Sequence, residues 1–174
     1  DAANYNPASR DVLINVAKAT PAITWANPAD ITFGTTLGAP QLNATANAAG
    51  TFVYAPTYGT VVSAGTQALQ AYFVPADVAN YTTATANATL IVSKAALTVT
   101  AQNADRSYGT ANPLFTAAYS GFVNGDTAAA LSGQASLTTT VTAASVTGTY
   151  AIQAAVGTLS AANYNFAFVD GTLT

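Results

Sequence analysis

The sequence predicts an all-β protein built from small β-sandwich domains in tandem, and three observations carry that reading. Short segments rich in β-branched and aromatic residues alternate with a period of two, and turn signals recur about every 8–12 residues. The tripeptide Ala-Asn-Tyr appears three times, at 3–5, 79–81 and 162–164.

In chain order, strands are expected at Asp11–Val16, Thr51–Tyr54, Ala68–Val74, Ala88–Ser93, Leu97–Thr100 and Thr149–Val156. They show β-branched and aromatic enrichment or the two-residue rhythm that places one set of side chains inside and the other outside. Asn27-Pro28, Ala39-Pro40, Tyr58-Gly59, Ala64-Gly65, Asn112-Pro113, Asn124-Gly125-Asp126 and Asp170-Gly171 are among the turn signals that separate them. Thr127–Leu131, with Asp126 as its N-cap, is the one helical candidate. The expected core comprises Trp25, Phe52, Tyr54, Leu69, Phe73 and Leu90, then Leu97, Phe115, Tyr119, Phe122, Leu131, Tyr150, Ile152, Phe166 and Phe168.

The repeat sets the expected domain organisation. Tyr5 lies 13 residues before Lys18, and Tyr81 lies 13 before Lys94. An aromatic–Gly pair follows each lysine, Phe33-Gly34 after 15 positions and Tyr108-Gly109 after 14. Residues 1–18 therefore read as the terminal strands of a preceding repeat, 19–94 as one full repeat, and 95–174 as a second, cut just before its end. The structural repeat motif consists of Asn4, Tyr5, Lys18, Asn80, Tyr81, Lys94, Asn163 and Tyr164. Periods near 80 residues suit small autonomous domains on a string better than solenoid units.

Composition removes most other functions. The 174 residues include four Lys+Arg, seven Asp+Glu, and no His, Cys or Met, with 51% hydrophobic against 6% charged residues. All seven acids are Asp. Without His or Cys the chain lacks the usual neutral-pH base, the thiol nucleophile and the common metal ligands, so no enzyme is expected. Four cations and a net charge of −3 exclude a nucleic-acid surface. No apolar run approaches the ~20 residues of a membrane span.

Two stretches resemble known families. Ile23-Thr-Trp-Ala-Asn-Pro-Ala-Asp-Ile-Thr-Phe-Gly34, with Gly50–Pro56, Ala64–Gln67 and Ala79-Asn-Tyr81, is similar to the Ig-like repeats of large bacterial surface proteins. Arg106-Ser-Tyr-Gly109, Asn112-Pro113, Tyr119–Phe122, Asn124-Gly-Asp126, Gly148–Ile152 and Ala162-Asn-Tyr164 resemble the MBG (mostly-beta, glycine-rich) repeats of adhesins. The resemblance implies tandem Ig-like β-sandwich domains. Strand order stays open, and β-grasp-like modules are the alternative. It also implies a structural repeat module of a secreted, extracellular bacterial cell-surface protein, acting as stalk, spacer or filament body. An adhesin module that binds glycan or another cell surface is the alternative.

The expected partners are neighbouring repeats of the same chain, or copies of itself in a fibre. No cofactor is expected. Calcium on Asp30, Asp105 and Asp126 is carried as a minor alternative, because these acids could converge only through folding. A cross-link from Lys18 or Lys94 to Asn would need a neighbouring buried carboxylic acid, and acids are few. Asn43, Asn80 and Asn87 fit the N-glycosylation sequon, which an Asn- and Thr-rich chain produces easily by chance. For a glycan, the aromatic contributors would be Tyr54, Tyr58, Tyr72 and Tyr81.

Overall fold

A computed structural model describes residues 9–174. The first half contains β1 (Ile23–Thr24), β2 (Ile31–Thr32), β3 (Thr45–Ala46), β4 (Gly50–Ala55), β5 (Gly65–Pro75) and β6 (Ala84–Ser93). The second contains β7 (Ala95–Ala101), β8 (Ala117–Ser120), β9 (Ser136–Thr138), β10 (Tyr150–Ala155), β11 (Tyr164–Val169) and β12 (Gly171–Leu173). The chain is all-β and sandwich-like, as its alternation predicts.

The longest ladder is the β5–β6 hairpin, running from Phe73↔Ala84 to Gly65↔Val92, with β4 on its other side through Phe52↔Phe73 and Tyr54↔Ala71. The alternation decides its faces: Leu69, Ala71 and Phe73 are buried, whereas Gln70 and Tyr72 between them are exposed. Ala88, Leu90 and Val92 continue the same face on β6. The short β1–β3 ribbon covers it, bringing Trp25 edge-on to Tyr54 with ring centres 5.5 Å apart.

The two halves share one topology. In each, the first strand pairs antiparallel with a later one, β1 with β3 and β7 with β8. Toward the end of each unit a strand returns parallel to its beginning, β6 in the first and β11 in the second. In the second half that ladder is continuous, Tyr164↔Ala95 through Val169↔Thr100. In the first it is split between Ala19↔Tyr81 and Ile31↔Val92 to Thr32↔Ser93. Parallel neighbours cannot be joined by a tight hairpin, so the rest of each unit forms the connection.

Three local expectations change. Asp11–Val16 forms no ladder among the described residues, and Val12, Leu13, Ile14 and Val16 are 76–98% exposed. An alternating strand needs a sheet to lie against, and the described residues supply none. The helix expected at Thr127–Leu131 is a single 3-10 turn, Ala128–Ala130, capped by Thr127 rather than Asp126. Asp126 is engaged elsewhere, as described below. Of the expected core, Tyr54, Leu69, Phe73, Leu90, Leu97 and Ile152 are buried. Trp25, Phe52, Phe115, Tyr119, Phe122, Leu131, Tyr150 and Phe166 are partly buried against it, and Phe168 is half-buried beside Phe166. Phe33, Leu37, Leu42, Val62 and Tyr164 complete the larger cluster, which runs unbroken from the first unit into the second.

Candidate functional site

The repeat motif folds into one corner, made twice. Lys18 Nζ donates to Val78 O at 2.7 Å, and Lys94 Nζ donates to Ala161 O at 2.9 Å. Both acceptors lie two residues before the motif asparagine. The backbone agrees: Ala19 N donates to Asn80 O at 2.8 Å, and Ala95 N to Asn163 O at 2.9 Å. Each lysine thus ties the opening of its unit to the turn ahead of the strand that returns to it. Among the described residues neither ammonium bonds an asparagine side chain. Asn4 and Tyr5 lie outside the described residues.

At the first corner Asp77 organises the turn. Its Oδ1 accepts from Ala79 N and Asn80 N, both at 3.1 Å, and its Oδ2 from Asn80 Nδ2 at 2.7 Å. The Asn80 side-chain bond, then its backbone bond, hold the Asp77 carboxyl below the usual carboxylate range.

The second corner lies against the first unit and is built differently. Tyr164 is 2% exposed, its ring held edge-on between Phe33 and Phe122 with centres 5.6 Å from each. Its hydroxyl donates to Asp126 Oδ2 at 2.7 Å and accepts from Val123 N at 3.2 Å. Burial pushes the Tyr164 hydroxyl above the ordinary tyrosine pKa, and the Asp126 hydrogen bond and charge act in the same direction. Asn163 Oδ1 accepts from Ala64 N of the first unit at 3.0 Å, across 99 residues of sequence. Beside it Gly34 has φ +97°, and a Cβ there would come within 2.7 Å of Val123 Cγ2. Glycine lets the Phe33 turn close onto the second unit.

The seam is therefore an apolar contact of Phe33 on Tyr164, pinned by the Ala64–Asn163 bond. Sequence reasoning marked Asn163, Tyr164 and Lys94 but missed Phe33 as core and Asp126 as the tyrosine's acceptor. The aromatic–Gly pair at 33–34 was the available signal for the first. Nothing in the sequence pointed to the second.

The other candidates disperse. Asp126 serves Tyr164, and Asp170 Oδ1 accepts from Ala154 N at 2.8 Å. No three metal-ligating side chains lie together among the described residues. Tyr54 packs in the core, and Tyr58 lies against it and donates to Leu42 O at 2.7 Å. Tyr72 stands on the opposite face of β5. Arg106 reaches Thr110 O at 3.1 Å, and also Thr142 O, stitching loops together. Beside it, Arg106, Tyr108, Val146, Gly148, Tyr150 and Leu173 line an open cleft of about 280 Å³ at the far end of the second unit.

The two halves carry the same lysine-held corner and meet where Phe33 and Ala64 of the first touch Tyr164 and Asn163 of the second. Residues 97–174 match the family described as MBG domain (YGX type), within which Tyr108-Gly109-Thr110 reads Y-G-x. The resemblance read in the second half of the sequence is thereby shown. MBG domains are structural repeat modules found in surface proteins. No curated protein matches the chain.

Proposed function

We propose that the chain is a load-bearing spacer of a secreted bacterial surface protein, acting as part of a stalk or filament body and carrying out no catalysis. The parallel return of β11 to β7, and of β6 to the opening of the first unit, supports this reading most strongly. Tension entering at the start of β7 and leaving past β11 pulls two parallel neighbours in opposite directions. Every bond from Tyr164↔Ala95 to Val169↔Thr100 is then loaded together, in shear, instead of one at a time. The matching parallel bridges of the first unit give it the same geometry. The low charge of the chain also leaves few Lys or Arg sites for proteases.

Single-molecule pulling tests this. The chain contains no cysteine, so handles can be placed at will. Handles at Ala96→Cys and Thr174→Cys load β7 against its parallel neighbour. Handles at Ala96→Cys and Ser120→Cys peel β7 from β8, because Thr98 pairs with Ser120 at that same end. Rupture at clearly higher force in the first geometry is expected. Equal forces in the two geometries would overturn the load-bearing reading.

A further inference from the structure

The internal seam shows what covers the end of a unit, and the second unit presents the same end uncovered. Leu90 and Leu173 each lie nine positions past their motif tyrosine, opposite Gln67 and Tyr150 respectively. Counting back three places makes Thr147 the counterpart of Ala64. Tyr108-Gly109 is the counterpart of Phe33-Gly34, and both glycines have positive φ, +83° and +97°. At the seam, Phe33 is 7% exposed beneath Tyr164, whereas Tyr108 is 66% exposed and Val146, beside Thr147, is 73% exposed. Ala64 N donates to Asn163, whereas Thr147 N has no partner among the described residues. The cleft of about 280 Å³ lies between these groups.

The complementary face lies at the other end of the chain. Asn80 and Tyr81 are the counterparts of Asn163 and Tyr164, and the Lys18 bond to Val78 O already holds their corner in shape. Val78 is 59% exposed, and nothing among the described residues donates to Asn80 Oδ1. The apolar segment Val12, Ile14, Val16 falls at the motif offsets of Ala88, Leu90 and Val92, which are 5%, 0% and 3% exposed in the first unit.

We propose that the Arg106–Tyr108–Thr147 end of the second unit docks the Val78–Tyr81 corner of a second copy of this chain. Tyr81 would enter the cleft beside Tyr108, and the Thr147 N–H would donate to Asn80 Oδ1. The inference rests on the spacer reading and names its partner: copies join head to tail through the seam that already joins the two units within one copy. Linkage in one polypeptide raises the effective concentration of the second face to about the millimolar range.

The test is a two-copy chain in which Thr174 is joined directly to Val16 of the second copy. Val16, Ala17 and Lys18 then restore the 13-residue interval from Tyr164 to a lysine. Amide hydrogen exchange reads the result, with the Ala64 amides of both copies reporting that each has folded. The Thr147 amide of the first copy should exchange at least tenfold more slowly than that of the second. Asn80→Ala in the second copy should abolish the difference, and Asn80→Ala in the first copy should leave it. Equal Thr147 exchange in both copies would overturn the docking. The load-bearing reading is scored separately, because the pulling experiment uses a single copy.

Discussion

Asn163→Ala removes one acceptor from the seam and little else. The Asn163 backbone oxygen continues to hold Ala95 N at 2.9 Å, and the side chain's bond is to Ala64 N at 3.0 Å. Ala64 is half-buried, so its N–H loses its partner where water reaches it only in part. Stranding a backbone donor this way costs about 1–2 kcal/mol, toward the lower end of the range for a fully buried group. For a chain of this size that corresponds to a drop in Tm of about 2–8 °C. Trp25, the only tryptophan, lies in the first unit with its Nε1 donating to Gln41 O at 3.2 Å. Its fluorescence reports that unit even though the substitution is in the other. In a urea titration, the Trp25 midpoint should therefore fall together with the circular-dichroism midpoint. A Trp25 midpoint that stays in place while the second unit weakens would refute the idea that the seam couples the units.

Tyr164→Phe keeps the ring between Phe33 and Phe122 but removes the hydroxyl that joins Asp126 to Val123, and should cost about 1–3 kcal/mol in denaturant unfolding. Gly34→Ala forces an L side chain into a positive-φ turn against Val123, costing about 1–2 kcal/mol for the backbone alone. A shift of the Val123 methyl resonances should locate that strain at the seam. Burial raises the hydroxyl pKa of both Tyr54 and Tyr164 above the unfolded value. Stability from these groups is thus full below the ordinary tyrosine range and declines as pH climbs through it. Thermal melts across alkaline pH should show the decline, and Tyr164→Phe should make it shallower. Asp77 has the opposite sign: its lowered carboxyl contributes above the ordinary carboxylate range and that contribution is lost in acid, which the amide shifts of Ala79 and Asn80 should follow.

The strands with clean alternation were legible because burial of one face demands it. Leu69-Gln70-Ala71-Tyr72-Phe73 and Leu97-Thr98-Val99 read from sequence as they fold. The same pattern misled at Val12–Val16, since periodicity records which face wants burial and not whether a sheet is present to bury it. The repeat marked the corner residues, where Lys94 precedes β7 directly and Lys18 lies five residues before β1. The parallel pairing of β7 with β11 left no local trace, because it joins residues about 70 positions apart. The Asp126–Tyr164 bond was equally hidden. A turn acid that would otherwise cap a helix was recruited by a phenol 38 residues away.

The most direct test of the account is native-state hydrogen exchange on the intact chain in low urea, comparing the strand amides of β5 with those of β11, whose Tyr164 and Phe166 share its core. One core running through the Phe33–Tyr164 contact predicts that both sets open in a single cooperative event, with the same urea dependence and the same limiting rate. Rates differing by tenfold or more, with separate urea dependences, would show two independent beads and contradict the seam.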